Sequence, residues 1–264
     1  MLKIEHISKT FNPGTINEKK ALRELSLELA DGDFVTVIGG NGAGKSTLLN
    51  AVAGVWPVDD GTIEIGGVDV TAMPEYKRAR YIGRVFQDPM MGTAPNMQIE
   101  ENLALAYRRG QRRTLRWGIT QSERVMFREQ LSTLGLGLED RMTAKVGLLS
   151  GGQRQALTLL MAALQTPKLL LLDEHTAALD PATAAKVLEI SDKIVREGKL
   201  TALMITHNMT DAIRHGNRLI MMDRGRIVLD ISGEDKQKLT KADLLARFAQ
   251  STGTQEETDA VLLS

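Results

Sequence analysis

The residues best suited to chemistry form a glycine-rich loop that fits the phosphate-binding pattern G-x-x-x-x-G-K-[ST]. Glycines allow the backbone to wrap phosphate groups closely, Lys45 can reach the β- and γ-phosphates, and the Ser46 hydroxyl can complete the shell of a Mg²⁺ ion. The alternative is a glycine-rich turn that binds nothing, and the flanking elements decide between the two. The residues of the loop are Gly39, Gly40, Asn41, Gly42, Ala43, Gly44, Lys45 and Ser46.

A strand and a helix are predicted on either side of this loop. The apolar run Phe34-Val35-Thr36-Val37-Ile38 predicts the strand, and residues 46–53 predict the helix. The free N–H groups and the positive dipole end of a helix N-terminus favour phosphate, so we assign Ser46 and Thr47 to the nucleotide site. Because the motif requires this context, a phosphate-binding loop is favoured over an ordinary turn.

Two carboxylates follow a second predicted strand. The apolar run Leu169-Leu170-Leu171-Leu172 predicts a strand buried on both faces of a parallel sheet, and Asp173 and Glu174 stand at its carboxyl end, where open α/β sheets bind ligands. Asp173 then suits Mg²⁺ beside Ser46, and Glu174 suits the positioning and polarisation of an attacking water. Acids at a strand end are often solvated loop residues, but the glycine-rich loop upstream favours the functional interpretation.

With Leu-Ser-Gly-Gly-Gln at residues 149–153, the chain resembles the ATP-binding subunit of an ABC transporter from about residue 3 to residue 230. The motifs occur in the order of that family, and no single one of them would suffice. The resemblance implies an α/β P-loop NTPase core with a mainly parallel sheet, an N-terminal antiparallel β subdomain and an inserted α-helical subdomain. The motifs are the glycine-rich loop, Gln87, residues 149–153, the acidic strand end, Ala178-Leu179-Asp180 and His207.

The resemblance also implies roles for single residues. Gln87 corresponds to a glutamine that senses Mg²⁺ and the attacking water, and Asp180 to a loop that communicates between two nucleotide sites. His207 corresponds to a switch histidine that contacts the γ-phosphate, so the catalytic residues would be Glu174, His207, Gln87 and Lys45. Without these companions, Gln87 is an ordinary polar residue at a strand end, and a lone histidine at a strand end is more often structural.

Residues 150–153 carry the motif that distinguishes this family from other P-loop proteins. By resemblance, Ser150, Gly151 and Gly152 cap the γ-phosphate of a nucleotide held by the other subunit of a dimer, and Gln153 belongs to the same site. A helix predicted from Gln153 to Gln165 would aim its N-terminus at the anion. The alternative for Ser150 is a plain helix N-cap.

Three positions depart from the usual family pattern. Phe11 lies where an aromatic ring, more often tyrosine, stacks on adenine, and stacking needs only the ring face. His175 replaces a proline after Glu174, and Gly40 replaces a bulkier loop residue. His175 adjoins Glu174, and our hypothesis is that it tunes the environment of that carboxylate.

A complete site would therefore need a second copy of the chain, with ATP and Mg²⁺ held between the two in a head-to-tail dimer. The other expected partners are integral membrane permease subunits and an extracytoplasmic solute-binding protein, which would place the chain at the cytoplasmic face of the membrane. The expected function is ATP-driven uptake of a small organic solute such as an amino acid, the narrower expectation being an aromatic one. That expectation comes from the stretches at residues 115–118 and 173–180, which resemble amino-acid importers.

Two other classes of function stay open. A soluble ABC-type ATPase acting on ribosomes or DNA usually carries two cassettes in one chain or a long coiled coil, and neither fits this sequence. A P-loop kinase or GTPase would not need residues 149–153, and a guanine-reading Asn-Lys-x-Asp stretch is absent. Nucleic acid is not an expected partner, because the formal net charge is zero.

Length and composition suit one α/β domain with an insertion. The chain has 264 residues, of which 42% are apolar and 25% charged, and its longest apolar runs are too short to cross a bilayer. We expect an ATPase domain at 1–232 with a helical subdomain at about 88–160, and a C-terminal part at 233–264 with one helix at Lys241 to Gln250 and a mobile tail. The arginine-rich segment 108–118 is either a solvated basic loop or a contact with the permease or anionic lipid.

Overall fold

The computed structural model describes residues 1–111 and 118–252, and these hold ten strands and nine α-helices. The strands are β1 (Leu2–Phe11), β2 (Lys19–Leu29), β3 (Phe34–Ile38), β4 (Asp60–Ile65), β5 (Val68–Asp69), β6 (Ile82–Val85), β7 (Leu169–Asp173), β8 (Ala202–Ile205), β9 (Arg218–Asp223) and β10 (Arg226–Ser232). The helices are α1 (Lys45–Ala53), α2 (Glu75–Arg78), α3 (Ile99–Tyr107), α4 (Gln121–Ser132), α5 (Gly151–Ala163), α6 (Pro181–Glu197), α7 (Met209–Arg214), α8 (Gly233–Gln237) and α9 (Lys241–Thr252).

The N-terminal sheet is antiparallel, with the strand order β2-β1-β4-β5. Along β2 buried and exposed residues alternate from Leu25 to Leu29, which is the pattern of a strand with one face on the core. The register of β1 shifts between Ile4 and Ile7 on its pairing with β2, so β1 bends along its length. This sheet confirms the predicted antiparallel region near the N-terminus.

The second sheet carries the predicted nucleotide strands in the order β10-β9-β3-β8-β7-β6. Strands β9, β3, β8, β7 and β6 are parallel, and β10 pairs antiparallel with β9. All of β3 and the four leucines of β7 are buried, because both faces of this sheet are covered. The predicted fold class, α/β with a mainly parallel sheet and an antiparallel N-terminal sheet, is confirmed.

Helix α1 shares one hydrophobic cluster with strands of both sheets, and Leu48 and Leu49 are completely buried there. The C-terminal carbonyl groups of this helix are satisfied by a side chain from elsewhere, since Arg78 donates from Nη1 to the carbonyl oxygens of Ala51 at 2.8 Å and Val52 at 2.9 Å. Arg78 is 2% exposed. The buried Arg78 guanidinium therefore supplies the hydrogen bonds that the last carbonyl groups of α1 lack within the helix.

Helices α3, α4 and α5 lie between β6 and β7 in the chain, and the described residues between those strands hold an isolated bridge, Gln98↔Lys145, but no strand. Phe127 and Leu131 of α4 are fully buried in a cluster that also contains α5. Helix α5 begins at Gly151 rather than at the predicted Gln153, because Ser150 provides its N-cap. The expected subdomain limits, about 88–160, remain a prediction.

The C-terminal helices pack on the second sheet. Leu244 and Phe248 of α9 share a buried cluster with Leu219 and Met221 of β9. Helix α9 extends two residues beyond the predicted end at Gln250, and α8 was not predicted. The predicted mobile tail lies largely at 253–264, outside the described residues. None of the helices that the structure describes combines the length and apolar character needed to span a bilayer.

Candidate functional site

The phosphate loop follows β3 directly and is built on backbone positions that exclude side chains. Gly39 has φ +151°, and a Cβ there would lie far inside van der Waals contact with the Met222 carbonyl oxygen. Gly44 has φ +102°, and a Cβ there would lie 2.5 Å from the Ala21 carbonyl oxygen. Both glycines are therefore required by the fold of the loop, whatever it binds.

Lys45 lies over the loop that precedes it. Its Nζ donates to the carbonyl oxygens of Gly39 at 2.6 Å and Gly40 at 3.2 Å, and the residue is 7% exposed. Burial lowers the pKa of Lys45, and the nearby carboxylates of Glu174 and Asp173 oppose that shift. Among the loop residues that follow Gly40, Asn41, Gly42 and Ser46 are exposed, and Thr47 is partly exposed.

Phe11 ends β1, and its ring is held by two neighbours. The ring of Trp56 meets it edge-on, with the centroids 5.0 Å apart and the planes at 82°. The Lys9 ammonium lies 5.8 Å from the centroid of Phe11. The sequence reasoning missed Trp56, because only the fold brings residue 56 against residue 11.

Asp173 lies at the carboxyl end of β7 beside a cation from β6. The Arg84 Nη2 is 3.4 Å from its Oδ2, and the Asp173 side chain is 17% exposed. Burial raises the pKa of Asp173, and Arg84 is the largest influence opposing that shift. Asp173 and Gln87 line the same cavity, and Gln87 is exposed. Sequence reasoning missed Arg84, because only the fold brings residue 84 beside residue 173.

The donors assigned to Mg²⁺ suit that ion. A carboxylate at Asp173, a hydroxyl at Ser46 and an amide oxygen at Gln87 are hard oxygen ligands. The described part of the chain holds no group of three or more His, Cys, Asp or Glu residues that could hold a metal.

Glu174 and His207 meet at the ends of neighbouring strands. The His207 Nδ1 lies 3.5 Å from the Glu174 Oε2, with the two side chains 44% and 21% exposed. Glu174 has φ +42°, and its N–H donates to the Ile205 carbonyl oxygen at 3.0 Å. A left-handed conformation costs a non-glycine residue about 1–3 kcal/mol and is held only by its surroundings. The structure thus brings the predicted base and the predicted switch histidine together, while their roles stay predictions.

His175 points into the interior. Its Nε2 shares a hydrogen bond with the Ser191 Oγ at 2.9 Å, and the residue is 2% exposed. Burial, helped by the nearby charge of His215, lowers its pKa to about 4. His175 is therefore neutral near pH 7, and its recorded hydrogen bond goes to α6 and not to Glu174.

The residues of the Leu-Ser-Gly-Gly-Gln motif open α5. Ser150 and Gln153 form a capping box: the Ser150 Oγ accepts from the Gln153 N–H at 3.3 Å, and the Gln153 Oε1 accepts from the Ser150 N–H at 3.2 Å. Further along α5, Gln155 Nε2 donates to the Phe86 carbonyl oxygen at 3.0 Å. The structure thus shows the plain N-cap for Ser150, and it also connects this helix to the residue before Gln87.

Thr183 contacts both Gly152, by packing, and Asp180, by a hydrogen bond. A Cβ on Gly152 would overlap the Thr183 Cγ2, although it would lie 3.6 Å from the Thr183 Cβ. Asp180 caps α6, and its Oδ1 accepts from the Thr183 N–H at 3.1 Å. Hydrogen bonds from Thr183 lower the pKa of Asp180. A side chain at residue 152 would therefore force the Thr183 side chain to move, independently of any nucleotide.

Two arginines of the basic segment have partners inside the chain. Arg108 donates to the Glu123 Oε1 at 2.8 Å, and Arg109 donates to the Ala162 carbonyl oxygen at 3.0 Å. The other arginines and the tryptophan of that segment, Arg112, Arg113, Arg116 and Trp117, lie outside the described residues, so a contact with permease or lipid remains a prediction.

Comparisons with known proteins agree on one family. Residues 22–177 match the family described as "ABC transporter". The chain is 45% identical over 253 residues to a tyrosine transport ATP-binding protein of Clostridioides difficile (strain R20291), covering 94% of this chain and 98% of that protein. It is 33% identical to a methionine import ATP-binding protein of Enterococcus faecalis (strain ATCC 700802 / V583), covering 99% of this chain and 74% of that protein.

Solved structures give the same result. A dimeric bacterial ABC transporter cassette superposes with a TM-score of 0.74 at 28% identity, covering 88% of this chain and 98% of that one. A dimeric post-hydrolysis cassette bound to ADP and phosphate superposes with a TM-score of 0.73 at 27% identity, with the same coverage.

The contact between Gly152 and Thr183 predicts a specific rescue. Gly152→Ala should lower the free energy of unfolding by about 1–3 kcal/mol, because the new methyl group overlaps the Thr183 methyl group. Adding Thr183→Ser removes that methyl group and should restore stability, and a double variant that stays destabilised would contradict the contact. Thermal unfolding and ATPase assays of the single and double variants, with Thr183→Ser alone as control, measure this. Restored stability without restored turnover would mean that the partner's nucleotide, and not Thr183, requires a bare residue 152.

The buried His175 predicts a pH dependence of stability. In the unfolded chain its imidazole binds a proton below the ordinary pKa of 6.5, whereas in the folded chain it does so only below about 4. The unfolded state therefore binds more protons in this window, and stability falls as pH falls through it, by about 3 kcal/mol in total. Denaturant unfolding of the wild type and His175→Asn at several pH values should show this extra loss only in the wild type. A difference between the two that does not change with pH would contradict the buried neutral histidine.

Proposed function

The chain belongs to the ABC transporter family, and from that premise we propose how its residues bind and hydrolyse ATP and which solute the transporter takes up. The family assignment made from the sequence motifs is confirmed. The chain is an ATP-binding and ATP-hydrolysing subunit of an importer, and it is membrane-associated through permease partners. The observation that carries the proposed mechanism is the 3.5 Å approach of His207 to Glu174, at the strand ends next to the Lys45 loop.

In the proposed binding mode, adenine stacks on Phe11 and the phosphates occupy the glycine-rich loop. The N-terminus of α1 faces them with free N–H groups. Lys45 now bonds to the Gly39 and Gly40 carbonyl oxygens, and we infer that it turns from these to the β- and γ-phosphates when nucleotide arrives. Exchanging two neutral acceptors for charged phosphate oxygens favours the bound state.

The chemistry is proposed to rest on two groups. Glu174 orients and polarises the attacking water, and His207 holds the Glu174 carboxylate and contacts the γ-phosphate. When bound, Mg²⁺ would withdraw charge from the β- and γ-phosphates, and we assign Ser46, Gln87 and Asp173 to its shell. The left-handed backbone of Glu174 and the hydrogen bond from its N–H to the Ile205 carbonyl oxygen fix the backbone from which the carboxylate extends. Little rearrangement is therefore needed for the carboxylate to reach the water.

Family cassettes act as dimers, and we propose that the second copy completes each site. Ser150, Gly151 and Gly152 would cap the γ-phosphate of the nucleotide held by the partner, with Gln153 and Asp180 beside the same contact. ATP then favours the closed dimer because it contacts both halves, and its cleavage removes the γ-phosphate contacts that distinguish closed from open. Hydrolysis in this scheme drives a conformational cycle in the permease.

The cargo is proposed to be an aromatic amino acid. The support is the 45% identity to a protein whose printed name is a tyrosine transport ATP-binding protein, which the chain covers almost completely. An extracytoplasmic solute-binding protein would deliver the amino acid, and the ATPase would sit at the cytoplasmic face of the membrane. A soluble ATPase of ribosomes or DNA is the alternative, and co-purification distinguishes them: an importer subunit is recovered with integral membrane partners.

Two single substitutions should separate nucleotide binding from hydrolysis. Glu174→Gln should retain ATP and accumulate an ATP-bound dimer while turnover falls on the order of 10²-fold or more, because the neutral amide is a far weaker base than the carboxylate. Lys45→Ala should instead lose nucleotide binding and fail to dimerise. Size-exclusion chromatography with light scattering and a phosphate-release assay measure both. Brisk turnover by Glu174→Gln would place the base elsewhere.

Uptake measurements test the cargo. Cells lacking this chain should lose ATP-dependent uptake of labelled tyrosine, and the wild-type gene should restore it while Glu174→Gln should not, because the permease then lacks a hydrolysing ATPase. Excess unlabelled phenylalanine, tryptophan or methionine defines the specificity. Restoration of methionine uptake without tyrosine uptake would assign a different amino acid while leaving the ATPase assignment intact.

A further inference from the structure

Arg84 is a cation within the short strand β6. Its neighbours in the strand, Ile82, Gly83 and Val85, are buried, and its own side chain is 14% exposed. Strand β6 pairs with β7 so that Val85 is opposite Leu172, which brings the carboxyl end of β6 next to Asp173. A charged side chain in such a place needs a partner, because burial of an unpaired charge is costly.

The guanidinium of Arg84 touches three elements of the site. Its Nη2 donates to the Asn50 Oδ1 of α1 at 2.8 Å and lies 3.4 Å from the Asp173 Oδ2. The guanidinium carbon lies 4.6 Å from the centroid of the Phe86 ring, the residue before Gln87. The Arg84 Nε is buried and has no hydrogen-bond partner among the described residues.

These distances rank the contacts. A tight ion pair between an arginine and a carboxylate has N···O distances of about 2.7–2.9 Å. The contact to Asp173 is longer, at 3.4 Å, whereas the bond to the neutral Asn50 has the normal length of 2.8 Å. Asn50 thus holds the guanidinium close to Asp173, while the carboxylate makes no tight ion pair with it. Asp173 can leave this cation while Arg84 keeps a hydrogen bond and its aromatic contact.

We propose that Arg84 is a positioning residue that stands in for the divalent cation, neutralising Asp173 until Mg²⁺ arrives and competing with Mg²⁺ for that carboxylate. The proposal rests on the proposed role of Asp173 in holding the metal. The same guanidinium also contacts the ring of Phe86, so Arg84 touches both the proposed metal ligand Asp173 and the residue before Gln87.

The electrostatics give the proposal a direction. A like charge a few ångströms from a cation site disfavours the incoming ion by more than thermal energy even when partly screened. Removing the charge of Arg84 should therefore strengthen Mg²⁺ binding at saturating ATP. A merely structural residue would weaken binding when it is lost.

The test measures metal dependence without turnover. In the Glu174→Gln background with saturating ATP, the fraction of dimer is measured against free Mg²⁺ by size-exclusion chromatography with light scattering. Arg84→Met should lower the half-saturating Mg²⁺ concentration by roughly three- to tenfold, the effect of losing one partly screened like charge. Arg84→Lys keeps the charge and should stay near the parent. Asn50→Ala removes the anchoring bond but not the charge, and it should not lower the midpoint.

Each outcome decides a separate question. An Arg84→Met midpoint equal to or above that of the parent, with Arg84→Gln behaving the same, overturns the role of Arg84. Asp173→Asn in the same background should raise the midpoint or abolish the dimer. An unchanged midpoint in Asp173→Asn would instead overturn the metal role of Asp173, which belongs to the proposed function. If Arg84→Met does not fold, Arg84→Gln carries the test alone.

Discussion

The close approach of backbone to backbone around the phosphate loop is the constraint on which the site depends. Gly39 lies against the Met222 carbonyl group and Gly44 against that of Ala21, so the loop touches both sheets where no side chain fits. The turn at Gly225 joins them, because its N–H donates to the Ala43 carbonyl oxygen at 2.9 Å and its carbonyl oxygen accepts from the Arg23 N–H at 3.0 Å. The position of Lys45 follows from this packing and needs no ligand.

Strand order then fixes the charges around Lys45. Strand β8 lies between β3 and β7, so His207, just beyond β8, stands between the phosphate loop and Glu174. All three strands are parallel, and their carboxyl ends meet at one edge of the sheet. A site with a cation, two carboxylates and a histidine therefore results from topology, and only the finer contacts depend on rotamers.

Much of this arrangement could be predicted from local sequence patterns. The limits of β3 agree with the predicted ones, because an apolar run is a local signal. The contact of Gly152 with Thr183 and the ion pair of Arg84 with Asp173 could not be predicted, since they join residues far apart in the chain. Spacing within a motif carries no information on such partners, and a mid-strand arginine is easily taken for a polar interruption.

Helix α5 shows why a glycine pair can serve packing and recognition together. Ser150 opens the helix, Gly152 fits under Thr183, and Gln155 holds the Phe86 carbonyl group, all within its first turn and a half. Close-packed contacts of this kind transmit small displacements because they leave no void to absorb them. In the proposed dimer, a partner's nucleotide that contacts Ser150 would therefore displace α5 slightly, and α5 would pass that displacement to the segments of Asp180 and Gln87 in the same chain. The N-terminus of α5 can therefore be capped by Ser150 and also contact the γ-phosphate of the partner's nucleotide, and neither role excludes the other.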